Sequence, residues 1–233
     1  MKNIIKTSFI IITVVFFPLK SFSHVEHYKN VEKFIMEIFK DGKKIGFNNY
    51  TFSRSGRNLL IDNETEFTIS IFGLNAFSIK GSSKETYKNN KLISFKSDSI
   101  QNKKVKFVNL YLDKNKENYF IKGSSYTGKA DLDIVIGSWW NHKIIQSEKS
   151  ISPISGSMSK QTINFVKKEK INLYGQDFDT KHFVIISKKL NKDDVKERRY
   201  DVWLDTTTNH ILKMNYSKYG LWEYKLKQVI YSK

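Results

Sequence analysis

The chain has 233 residues, no Cys, 40 Lys and Arg against 23 Asp and Glu, and a formal net charge of +17. It excludes disulfide scaffolding, thiol catalysis and a Cys-anchored lipid, and its length suits one domain with a full core. Only Arg54, Arg57, Arg198 and Arg199 are Arg, and no dense basic block occurs. The charge therefore reads first as composition and second as attraction for lipid headgroups or acidic glycans. No nucleic-acid recognition motif is present.

Residues 1–23 read as an address. Lys2 and Lys6 form a positive start, residues 7–17 are an uncharged and mostly apolar run, and Pro18 breaks it. Ser21-Phe22-Ser23 then supplies the small residues a signal peptidase needs. The run is shorter than the about 20 residues that span a bilayer. The expectation is export, with cleavage between Ser23 and His24. The mature chain would be residues 24–233, a single β-rich domain, and losing Lys2, Lys6 and Lys20 takes its charge from +17 to +14. Export without disulfides points to a bacterial periplasm.

Residues 24–30 are polar and are expected to be loose. Period-two segments follow. Residues 34–40 and 43–53 flank Asp41-Gly42, a hairpin signal because both residues tolerate positive φ. Residues 31–39 also fit a helix face, but the turn and next strand favour a strand. In residues 60–72, Ile61, Phe67, Ile69 and Ile71 alternate with Asp62, Glu64, Glu66, Thr68 and Ser70, the pattern of a half-buried strand. Residues 77–88, 92–100, 104–113 and 118–122 continue the series, with turns at Asn89-Asn90 and Asn102-Lys103. Turns this frequent leave no room for crossover helices, so neighbours pair antiparallel.

The middle differs. Residues 133–145 hold Trp139-Trp140-Asn141-His142 and fit a short helix or a compact loop. Residues 147–159 are Ser-rich, carry Pro153 and Gly156, and read as a connection. Strands resume at residues 162–168, 171–174, 178–189, 198–205, 211–217 and 221–231, with a turn at 191–194. The predicted fold is all-β: a long antiparallel meander curling into an open or partly closed barrel, with one short helical insert.

The opening hairpin with Asp41-Gly42-Lys43-Lys44-Ile45-Gly46, the Trp140-Asn141 pair, and Tyr200-Asp201-Val202-Trp203-Leu204-Asp205 followed by residues 211–216 and Gly220 together resemble a proteobacterial periplasmic family known only as a domain of unknown function. His142 stands where that pattern would carry Pro. The resemblance implies an envelope location and a sheet similar in kind to the half-barrels of lipoprotein and lipid carriers. It supplies no chemistry.

Catalytic motifs are weak. Gly123-Ser124-Ser125-Tyr126-Thr127-Gly128-Lys129-Ala130 nearly spells a P-loop, but Ala130 lacks the hydroxyl that would hold magnesium. Ser157-Met158-Ser159-Lys160 matches Ser-x-x-Lys without its partner signatures. Asp131 with Asp133, and Asp193 with Asp194, read as solvated turn residues. After cleavage His24 would offer an amine and an imidazole to copper, with His27 nearby, but no second fixed His is identifiable. No cofactor and no metal are expected, and no enzyme activity.

The aromatics are the stronger signal. Trp139, Trp140, Trp203, Trp222 and Tyr224 are the candidate ligand-lining residues, against the plainer expectation that most aromatics are core. The expected function is non-catalytic binding of a lipid, glycolipid or acylated protein in the curved sheet, with contact to a membrane surface. The alternative is an assembly module that binds an envelope protein or acidic glycan and has no cavity.

Overall fold

The computed structural model describes residues 24–71, 74–115, 117–190, 197–217 and 219–232. The expected signal segment, residues 1–23, and the expected turn at 191–194 lie outside the described residues, as do Asp193 and Asp194.

The opening strands are β1 (Val31–Lys40), β2 (Lys43–Ser55), β3 (Asn58–Ile71) and β4 (Leu74–Lys88). Then come β5 (Lys91–Gln101), β6 (Lys104–Leu112), β7 (Tyr119–Gly123) and β8 (Thr127–Ala130). Short β9 (Val135–Ile136) and β10 (Lys149–Ile151) precede β11 (Met158–Leu173) and β12 (Gln176–Lys189). The chain closes with β13 (Arg198–Asp205), β14 (Ile211–Ser217) and β15 (Leu221–Tyr231). All join one sheet of order 8-7-6-5-4-3-2-1-15-14-13-12-11-10-9. Every neighbouring pair is antiparallel except β9 with β10.

The two-residue turns explain the hairpins. Asp41-Gly42 (φ 49° and 78°), Asn89-Asn90 (49° and 64°), Asn102-Lys103 (47° and 66°) and Tyr174-Gly175 (54° and 84°) all have positive φ at both positions. That geometry matches the twist of the flanking strands.

Twist summed over long strands curls the sheet into a barrel. Pairing of β1 with β15 joins its two arms, and the open seam falls between β8 and β9. Residues 152–157 bridge this seam. Ser125 N–H donates to Ser155 O at 2.8 Å, and Ser97 Oγ donates to Pro153 O at 2.5 Å. A Cβ at Gly123 would lie 2.8 Å from Ser155 O, so only glycine permits this approach.

Three expectations change. Residues 24–30 are not loose: His24–Tyr28 is a 3₁₀ turn, and Tyr28 is fully buried. Its hydroxyl bonds His142 Nδ1 at 2.8 Å, which ties the chain start to the interior. Residues 147–159 are not only a connection, because β10 lies within them and β11 begins at Met158. The two strands expected at 162–168 and 171–174 are one, since a bulge between Phe165 and Lys167 absorbs the break in alternation. The helical insert is the single 3₁₀ turn His142–Ile145, capped by Asn141.

Topology puts the C-terminal ends of β1, β3, β5, β12 and β14 at one end of the barrel. At the other end the bore is solid. Tyr28 and Trp140 meet edge to face at 5.0 Å, Phe52 and Trp140 at 5.5 Å, and Phe34 and Phe52 at 5.5 Å. Residues 131–148 fold inward as a plug, burying Ile134, Ile136, Trp140, Ile144 and Ile145.

Candidate functional site

Above the plug the bore is empty. A cavity of about 1120 Å³ runs from the plug to the end that carries the β1–β2 and β14–β15 turns. Small-molecule sites are usually about 300–1,000 Å³, so this space is ample for one chain-like molecule.

Its origin is a change of inward side-chain size along single strands. On β5 the inward positions run Phe95, Ser97, Ser99. On β4 they run Tyr87, Glu85, then Ser83 and Gly81 at the cavity wall. On β12 Ile185 is followed by Ser187. A Cβ on Gly81 would stand 2.5 Å from the Ser99 Cβ, so β4 comes close to β5 there only because glycine does.

The plug supplies a rigid floor. Glu85 is buried and accepts from Ser138 Oγ (2.8 Å), Trp140 Nε1 (2.9 Å) and Tyr87 OH (2.8 Å). Burial pushes its carboxyl pKa up, and the three donated bonds pull the other way. Tyr50 OH accepts from Trp139 N–H at 3.2 Å and from Asn48 Nδ2 at 2.9 Å. Asn63 Nδ2 reaches Asn48 Oδ1 at 2.6 Å. These bonds pin the strand walls to residues 138–140.

The walls differ around the circumference. Beside the seam lies a hydroxyl band: Ser97, Ser99, Ser150, Ser159 and Ser187. Next along the sheet from β12, on β13, β14 and β15, stand Tyr200, Tyr216, Trp222 and Tyr224. Tyr200 stacks on Tyr216 at 5.1 Å. Burial raises the hydroxyl pKa of both Tyr200 and Tyr224, so they stay neutral donors. At the lip are Lys40, Lys43, Lys44 and Arg198.

The candidate aromatics divide. Trp139, Trp222 and Tyr224 line the cavity. Trp139 touches Tyr200 and Tyr224, with centroids at 5.6 and 6.4 Å, and Trp222 meets Phe67 at 5.5 Å. Trp140 is corrected to core: it has no exposure and lies beneath the floor. In this turn Trp139 faces the cavity while Trp140 points into the packed interior. Trp203 is corrected to the outer face, because Val202 and Leu204 take the inward positions of β13. There it stacks on His182 at 4.4 Å and donates to Glu169 Oε1 at 2.9 Å. The serine band and Arg198 were not among the candidates. Their signal was small polar residues at alternate positions, 97 with 99 and 157 with 159.

The weak motifs gain nothing. Residues 123–130 are the end of β7, a turn and β8. Ser157 faces the interior while Lys160 is exposed on the other side of β11. Asp131 and Asp133 are exposed. Among the described residues no cluster of His, Cys, Asp or Glu is arranged to hold a metal, and the His24 side chain lies outside them.

Residues 36–227 match the family described as domain of unknown function DUF6134. Among solved structures, a β-barrel-like protein of the domain of unknown function DUF1849 from Brucella abortus superposes with a TM-score of 0.57 at 9% identity. The match covers 88% of this chain and 99% of that one. The hypothetical lipoprotein YmcC from Escherichia coli gives 0.36 at 10% identity, covering 86% and 89%. No curated protein matches. The Brucella abortus structure speaks for the barrel-like fold alone, and the expected resemblance to a family without assigned function is met: the chain belongs to the DUF6134 family.

Proposed function

We propose that this is an exported, non-catalytic envelope protein that holds one amphipathic ligand in the bore of its open barrel. The observation that carries the reading is a cavity of about 1120 Å³ resting on a solid, hydrogen-bonded floor. Folding leaves Trp139, Trp222 and Tyr224 on its wall instead of in the core. Unfilled apolar wall is unfavourable in water, so an apolar occupant stabilises the protein that binds it. Export is supported by residues 1–23, with Lys2 and Lys6 before an apolar run and Ser21-Phe22-Ser23 after it.

Native mass spectrometry with lysophosphatidylglycerol tests the reading. One lipid per chain is expected. Ser187→Phe, which projects a ring into the bore, should weaken the adduct without lowering the unfolding midpoint. Absence of an adduct with any single-chain amphiphile would overturn the carrier reading in favour of an assembly module. The exported product should begin at His24, and a product retaining Met1 would overturn cleavage.

A further inference from the structure

We infer that the occupant is an anionic amphiphile with an ester or amide just below its headgroup, bound with its charged end at the lip. This rests on the carrier reading above and names the ligand class for the same cavity.

The cavity is zoned along its depth. Charge is confined to the lip. Of the groups there, Asp41 is held by Lys40 and by the backbone N–H of Leu221. Lys44 turns outward to Glu37, at 2.5 Å. Lys43 and Arg198 remain. Neither forms an ion pair among the described residues, and Arg198 hydrogen-bonds Tyr200 on the aromatic wall. A cationic lip above a lining whose one carboxylate is already paired favours a negative headgroup.

Beneath the lip comes the hydroxyl band. Ser99 lies two residues inside the end of β5, about 7 Å along the strand. It is only 8% exposed, and its Oγ has no hydrogen-bond partner. A buried hydroxyl left unpaired is unfavourable. Ser187 lies two residues inside the end of β12, and Ser159 on β11 pairs with Lys189 at that end. A bore shaped for bare hydrocarbon would have apolar residues here. Hydroxyl donors just beneath the lip fit acceptor oxygens just beneath a headgroup, as in an acyl ester or amide.

Deeper still, the lining turns apolar. Trp139, Ile144, Ile185 and Met214 surround the floor beside Tyr50. On the seam side that order, cation then hydroxyl then apolar, matches headgroup, linkage and chain read inward, and the wall of β3, β4 and β15 stays apolar up to the lip through Phe67, Ile69, Phe77 and Trp222.

Three probes of similar chain length, followed by isothermal titration, separate the claims. Lysophosphatidylglycerol is anionic with an ester, lysophosphatidylcholine is zwitterionic with an ester, and dodecyl phosphate is anionic without one. The anionic lysolipid should bind at least about tenfold tighter than the zwitterionic one. The gap should shrink to under about threefold in K43Q/R198Q, whose sites lie at the lip, outside the packed core. Ser99→Ala should weaken the anionic lysolipid several-fold and leave dodecyl phosphate unchanged. Equal binding of the two lysolipids, or a preference that survives K43Q/R198Q, overturns the charge assignment while the carrier reading stands. An equal loss for both anionic probes in Ser99→Ala overturns the linkage assignment. If none of the three binds, the carrier reading itself fails.

Discussion

The two halves of the bore share the same strands and the same inward positions, yet one is solid and the other empty. In the solid half Phe34, Phe52, Tyr87, Phe95 and Trp140 interlock around the buried Glu85. In the empty half Gly81, Ser83, Ser97, Ser99 and Ser187 leave space that the aromatic wall of β13, β14 and β15 does not cross. The backbone does not decide where this barrel is hollow. Side-chain volume at alternate positions does, and the plug at residues 131–148 marks the border.

The contrast gives its largest effect on stability at Trp140. Trp140→Ala should cost about 3–5 kcal/mol, because it opens a cavity in close-packed surroundings and strips a donor from Glu85. Trp139→Ala, one residue away, faces existing space and should cost far less. Chemical denaturation of the two variants checks this; equal losses would erase the border.

Acidification is the next lever, and it acts on the solid half. Burial holds His142 and His210 down to about 4. Neighbouring His27 and His210 add to the effect on His142, while Asp205 opposes it on His210. Each stays neutral in the fold, whereas the unfolded chain takes up protons below about 6.5. Their contribution is therefore complete above that pH and is lost as pH falls towards 4, up to about 3 kcal/mol each. Glu85 works with the opposite sign, since its raised pKa makes acid favour the folded state. His210→Phe removes a buried Nε2 that has no partner. It should flatten the loss between pH 7 and 5 in urea titrations, and an unchanged slope would contradict the assignment.

Much of this architecture was legible in the sequence. The alternation of Ile61 and Phe67 with Asp62, Glu64 and Glu66 gave the register of β3, and the outward carboxylates meet Lys80 and Lys84. Ile69 lines the cavity, and the Ile71 side chain lies outside the described residues. Asp41-Gly42 and Asn89-Asn90 gave their hairpins because positive φ is a local property. Long-range consequences were not legible. Pairing of β1 with β15 joins residues nearly 200 apart and leaves no local mark. Residues 147–159 looked like a linker because serine is common in turns, and only the long-range curl of the sheet brings these serines to a cavity. Trp139 and Trp140 could not be ranked, since neighbours in an irregular segment have no fixed period.

Overpacking separates the halves further. Ser187→Phe should change stability by under about 1 kcal/mol, because its new ring enters free volume. Ala130→Leu, in the solid half at 6% exposure, should cost about 1–3 kcal/mol. Similar costs at both sites would mean the cavity is closed in solution. The smallest effect belongs to Trp203 on the outer face. Trp203→Ala should cost about 1 kcal/mol or less through the lost Glu169 bond and leave ligand affinity unchanged.

The central claim is that the empty half takes an amphiphile past Trp139 and Trp222, and quenching of tryptophan emission by a lysophosphatidylglycerol brominated along its acyl chain tests it most directly. Trp140 lies below the floor and Trp203 outside the barrel, so the four indoles report from separate places. Saturable quenching at one lipid per chain is expected, most of it lost in the W139F/W222F variant and retained in Trp203→Phe. Saturable quenching that survives in W139F/W222F, or quenching that never saturates, would contradict it.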